Sequence, residues 1–167
     1  MMTRIKAKGR RESGPFVPIP FSVLQSDNWK KLTAKGSRLL LDVCSQLHMK
    51  KDGPVNNGDL CITKSIMKEK GWTSSECLYL ARDELLYYGF IIETRPGGRN
   101  FPALYAVTFF AINECEGKHF EKPTNTAPNK WKESKKKWTR PRRKLKPLSR
   151  FYKNVVPLYG TTERKSA

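Results

Sequence analysis

Apolar positions in the middle of the chain recur at helical spacing in three stretches, then give way to two short runs rich in aromatic and β-branched residues. After Thr33, AKGSRLLLDVCSQLHMKKDG puts Leu40, Val43, Cys44 and Leu47 on one face. Lys50-Lys51 falls in its last turn and Gly53-Pro54 supplies the stop. Asn56-Asn57-Gly58 is a loop. A shorter helix is expected from Leu60 to Lys70, capped by Asp59, with Ile62, Ile66 and Met67 turned inward. Gly71-Trp72 makes a turn and TSSECLYLARDELLYYG follows. Thr73 and Glu76 have the spacing of a capping box, in which each side chain satisfies a backbone N–H left over by the first turn. Cys77, Leu78, Ala81, Leu85 and Leu86 form the apolar stripe, and Gly89 is the expected end.

The run FIIET then favours a strand, RPGGR a turn, and LYAVTFFAI a second strand, so the helices lead into a hairpin. Upstream, prolines at 15, 18 and 20 keep PFVPIPFSVL extended, an arm with Phe16, Ile19 and Phe21 against the core. Past Asn113 the periodicity ends, and a tail without a core of its own is expected, with one short helix near Asn129–Trp138. The chain therefore divides into a basic flexible arm (1–15), a folded domain (16–113) and a basic, Pro-containing tail (114–167).

Three helices followed by a two-stranded hairpin, in about 80 residues, is an α+β arrangement, the winged helix–turn–helix. Its third helix is short enough to enter a major groove, where Ser74, Ser75, Tyr79 and Arg82 would meet base edges. The wing loop, kept thin by Gly97 and Gly98, would carry Arg95 and Arg99 to a minor groove or to phosphates.

The stretch from LTAKGSRLLLDV through NGDLCITKSIMKEKGWTSSECLYLARDELLYYGFIIETRPGG resembles the winged-helix domains of bacterial and phage replication-initiator and regulator proteins. The shared pattern falls on Ser74, Ser75, Cys77, Leu78, Ala81, Glu84, Leu85, Gly89, Phe90 and Ile91. It also resembles small helix–turn–helix proteins of proteobacterial plasmids and mobile elements. The likeness covers residues 16–113 and implies duplex DNA as partner. The outward face of the third helix departs from the family: Tyr79, Leu80 and Asp83 stand where DNA-reading members carry small polar or basic residues. Those three residues fit a helix that docks a protein inside a larger nucleoprotein complex, with the tail gripping DNA or RNA.

Charge sharpens the choice of partner. Lys and Arg number 33 against 15 Asp and Glu, a net +18. That excess implies a polyanionic partner. Residues 1–13 hold five basic and one acidic side chain, residues 14–113 twelve and nine, and residues 114–167 sixteen and five. The middle is thus nearly balanced and the flanks are basic. In the tail, Trp131 and Trp138 interleave with nine cations: Lys132, Lys135, Lys136, Lys137, Arg140, Arg142, Arg143, Lys144 and Lys146. The cations suit phosphates. The tryptophans either stack on unpaired bases, which would favour RNA or single-stranded DNA, or fold back on the domain as anchors.

Other chemistry finds little support. Cys44, Cys61, Cys77 and Cys115 form no C-x-x-C pair, and with only His48 and His119 beside them no zinc site is expected. Buried free thiols of a reducing cytoplasm are the plainer reading. There is no phosphate loop, paired-acid motif or nucleophile elbow, so no enzyme activity, cofactor or small-molecule substrate is expected. MMTRIKAKGRRESG lacks a signal-type apolar run, and the basic tail shows no apolar stripe for a membrane surface. The expected location is cytoplasmic, with the nucleoid.

Overall fold

The computed structural model describes residues 16–140, a mixed α+β unit with five helices and two small antiparallel sheets. The arm over 1–15 and the tail cations Arg142, Arg143, Lys144 and Lys146 lie outside the described residues.

Residues 16–20 run without regular structure into two short helices, α1 (Phe21–Leu24) and α2 (Asp27–Lys31). Ser26 caps α2, its hydroxyl accepting from Trp29 N at 3.2 Å. Val17 and Ile19 pack on the core, whereas Phe16 and Phe21 point to solvent. The expected arm contacts therefore hold for Ile19 alone, because the chain turns into α1 directly after Pro20.

Helix α3 (Ala34–Cys44) starts where expected: the Thr33 hydroxyl accepts from Gly36 N at 3.1 Å. Leu39, Leu40, Val43 and Cys44 are buried along one side. It stops at Cys44, and Lys50-Lys51 is not its last turn. Met49–Lys50 (β1) pairs instead with Gly53–Pro54 (β2) in a small hairpin.

The largest departure lies between residues 59 and 63. Leu60–Cys61 is a strand, β3, paired antiparallel with Leu104–Val107 (β5). Helix α4 (Lys64–Glu69) begins only after Thr63, and Asp59 is not its cap but accepts from Lys118 Nζ at 2.7 Å. Met67 and Ile62 are buried as expected, while Ile66 is exposed. Trp72 closes this corner, its indole N–H donating to Asp42 at 2.7 Å.

Helix α5 (Ser75–Tyr88) packs on α3 and buries Leu78, Ala81, Leu85 and Tyr88. Its cap is Ser74, which accepts from Cys77 N at 3.3 Å, so the capping box expected on Thr73 and Glu76 does not form. Buried Glu84 ties the two helices, accepting from Thr33 N (2.9 Å) and Thr33 Oγ1 (2.6 Å). A Cβ at Gly36 would stand 2.6 Å from the Glu84 carboxylate, so a larger residue there would displace this hydrogen-bonded side chain. At the far end Gly89 adopts φ 75°, the left-handed conformation that ends helices.

Ile91–Arg95 (β4) pairs with β5, completing a sheet of order β3-β5-β4 with a bulge between Glu93 and Arg95. Buried Asn57 joins this sheet to the loop before β3. It donates to Val107 O (3.0 Å) and Ala111 O (2.8 Å) and accepts from Val107 N (2.8 Å).

Packing does not end at residue 113. Asn129 N donates to Thr108 O at 2.7 Å, a one-turn 3-10 segment covers Lys130–Lys132, and Trp131 enters the core. The side chain of buried Asn28 donates to Trp131 O (2.9 Å) and Glu133 O (2.7 Å) and accepts from Lys135 N (3.0 Å). The short helix expected over Asn129–Trp138 is reduced to that single 3-10 turn.

Candidate nucleic-acid interface

The outward surface of α5 has two stripes. Ser75, Tyr79, Arg82 and Leu86 follow one another at helical spacing, and Glu76, Leu80, Asp83 and Tyr87 form the second. The sheet lies beside the first and the tail beside the second.

On the first stripe, the Arg82 guanidinium is engaged. It donates to Asp83 from Nη2 at 2.7 Å and from Nε at 3.0 Å, and it stands 5.0 Å from the Tyr79 ring centroid. Partial burial works against its charge, but the Asp83 carboxylate and the nearby Tyr105 outweigh that and hold its pKa above the ordinary arginine value. Burial in turn raises the Tyr105 phenol. Arg82 is thus a half-buried, paired cation, while Ser74 and Tyr79 remain exposed and Ser75 half-buried.

On the second stripe the tail touches the helix at its two ends and leaves much of it exposed. Arg140 forms an ion pair with Glu76 in the first turn of α5. Trp138 N donates to the Tyr88 hydroxyl at 2.9 Å, and Lys135 Nζ lies 5.5 Å from the Tyr87 ring centroid. Lys31 fixes the near end, donating to Lys135 O at 2.7 Å. Eleven helical steps from residue 76 to 87, and five steps of extended chain from 135 to 140, both cover about 16–17 Å. Residues 135–140 therefore form a strap running antiparallel to α5, with Lys136 and Lys137 exposed. Trp138 is half-buried against the core, an anchor rather than a free stacking surface. Lys132 is exposed and lies over the Trp131 ring.

Both acids that argue against phosphate contact on α5 therefore have a cation of this chain: Glu76 has Arg140, Asp83 has Arg82. Leu80 is half-buried on the stripe between the ends of the strap.

In the β4–β5 loop, Arg95 and Arg99 have different surroundings. Arg95 donates to Lys118 O (2.8 Å) and Pro102 O (3.1 Å) and lies over the Phe101 ring, so it braces the loop. Arg99 is exposed.

Two features escaped the sequence pattern. Lys31 and Lys35 come from α2 and α3 to flank the tail and α5, a placement that only long-range packing creates. Phe101 is 51% exposed in the β4–β5 loop. Its signal was present, since an aromatic residue between Asn100 and Pro102 in a turn has no core to join.

Cys77 is not part of the buried stripe. Its thiol is half-exposed and accepts from Lys35 Nζ at 3.1 Å. The Ser74 hydroxyl and then the Lys35 ammonium lower its pKa below the ordinary thiol value. Burial pushes the Cys44 thiol up to about 12 and also raises Cys115. Alkylation of the native protein with iodoacetamide near pH 8 is expected to modify Cys77 first and Cys44 last, an order readable by peptide mass spectrometry.

Among the described residues no His, Cys, Asp or Glu cluster of metal-holding size is present, and no helix is long and apolar enough to cross a membrane. No protein-family model matches the chain, and neither does a curated protein or a solved structure.

Proposed function

We propose that the protein is a non-enzymatic binder of duplex DNA. In this reading α3, α4, α5 and the three strands form a winged helix, with α4 and α5 as the helix–turn–helix and the β4–β5 hairpin as the wing. The observation that carries it is the strap: a basic segment laid along α5, pairing Glu76 through Arg140 and leaving Lys136 and Lys137 exposed. The helix surface thereby becomes compatible with phosphates, although Leu80 and Asp83 alone would not be. Residues 16–140 carry twenty basic and thirteen acidic side chains, and the two flanks add five and eight basic against one acidic each.

The division of labour follows from these placements. Lys136, Lys137 and Arg99 contact backbone phosphates, and the flanks add affinity without sequence preference. Base readout by α5 is limited to Ser74, Ser75 and Tyr79, since Arg82 is tied to Asp83. Such a protein is weakly sequence-specific. Its place as a regulator or replication accessory of a plasmid, phage or other mobile element rests on the family resemblance of its sequence.

Tyr79 and Tyr87 are 40% and 37% exposed on α5, the kind of residue that anchors protein interfaces, and they favour a second reading as an adaptor in a nucleoprotein complex. Competition separates the two. With labelled duplex DNA bound to the full chain, unlabelled duplex DNA is expected to compete better than single-stranded DNA or duplex RNA of equal length. Equal competition by all three leaves the tail as a generic cation and assigns α5 to a protein partner.

A further inference from the structure

The geometry points to Phe101 as a wedge that enters the stack of the bound duplex and opens one base step. This inference rests on the DNA-binding reading above and adds a deformation to it. A single exposed apolar side chain is ordinary on a protein surface. Phe101 differs in how it is held. The Arg95 guanidinium lies 5.2 Å from its ring centroid, and that guanidinium is itself fixed by Lys118 O and Pro102 O. Gly98 fits against the ring, where a Cβ would come within 2.5 Å of it. Gly98 N donates to Phe101 O at 2.9 Å, closing the tip around exposed Arg99 and Asn100. An aromatic ring is thus braced from within the loop and left half in solvent, beside the Arg99-Asn100 tip of a thin hairpin.

These are the parts that a minor-groove wedge needs. Arg99 and Asn100 supply the cation and the amide that suit the groove floor and its phosphates, and Phe101 supplies the apolar edge that parts two bases. On the side toward α4 the tip borders a shallow, open surface lined by Thr63, Ser65, Ile66, Phe101 and Pro102, with hydroxyls beside apolar side chains. Stacking on the ring and unstacking of the base step are of similar size and opposite sign, so the wedge changes DNA shape more than affinity.

The test uses the full chain and a short duplex with one central 2-aminopurine, whose fluorescence rises when its neighbours unstack. Anisotropy of a terminal dye reports binding in the same sample. At saturation a severalfold rise in 2-aminopurine fluorescence is expected. Phe101→Ala should abolish that rise while changing affinity by less than about tenfold, because the gain and the cost it removes offset each other. Phe101→Leu, still an apolar wedge, should keep most of the rise. A duplex that binds without any rise, or with the same rise in Phe101→Ala, overturns the wedge and leaves DNA binding standing. If Phe101→Ala instead loses affinity for single strands while the duplex signal stays silent, the ring is a platform for unpaired bases and the wedge is wrong. No anisotropy change with any duplex removes both the wedge and the DNA-binding reading beneath it.

Discussion

Replacing Trp131 with Ala is expected to cost about 3–5 kcal/mol of stability, the range for removing a large aromatic side chain from a packed interior. Trp131 is 5% exposed and belongs to the same core cluster as Leu85, Tyr88 and Phe90. Its indole N–H is satisfied by Asn129 Oδ1 at 3.1 Å, so the ring sits there without an orphaned donor. Its backbone carbonyl is held by Asn28, which also fixes Glu133 and Lys135. The backbone of Lys130 passes so close to Gly89 that a Cβ there would stand 2.9 Å from it. Urea titration followed by circular dichroism would measure the loss as a lower midpoint. Loss of a tryptophan on an unanchored tail would change the stability by no more than about 0.5 kcal/mol, the ordinary surface effect.

The second large effect concerns affinity. The full chain with Arg142, Arg143, Lys144 and Lys146 all changed to Ala keeps the core and strap and loses four cations. If each neutralises one phosphate, the slope of log affinity against log salt becomes shallower by about 3.6, and duplex affinity near 0.1 M salt falls roughly 10²–10³-fold. Anisotropy titrations of both proteins at matched salt would show it. An unchanged slope would place the phosphate contacts elsewhere, on Lys136, Lys137 or the basic segment before residue 16. The ion pair between Arg140 and Glu76 bears little on the outcome, because an exposed pair contributes about 0–1 kcal/mol.

What the sequence made legible is what local pattern governs. The apolar faces of α3 and α5, the start of α3 after Thr33, the Gly89 stop and the β4–β5 hairpin follow from spacing within one or two turns of chain. The strand at Leu60–Cys61 was hidden because two residues are too few to show a period, and the neighbouring Ile62 and Met67 suit a helix equally well. The cap of α5 moved from Thr73 to Ser74 because three consecutive residues there can cap, and Glu76, which would have set the register, is taken by Arg140. Trp131 was legible only as one of two alternatives, an anchor or a stacking surface, and its place in the core was hidden for a different reason. KWKESKKKW has no apolar period, and the partner that holds Trp131 is an asparagine more than a hundred residues earlier. The candidate interface divides in the same way. Exposed Arg99 was readable from a turn, whereas the pairing of Arg82 with Asp83, the bracing role of Arg95 and the strap over α5 depend on tertiary contacts.

The measurement that bears most directly on function is the salt dependence of binding by the full chain. Fluorescence anisotropy with duplex DNA at several salt concentrations gives the slope. Engagement of six to ten phosphates by the strap, the wing and the flanks should cost roughly 10³–10⁵ in affinity between 50 and 200 mM salt. A duplex affinity that is weak at 50 mM and flat with salt would contradict DNA binding, and would turn the exposed face of α5 into the place to look for a protein partner.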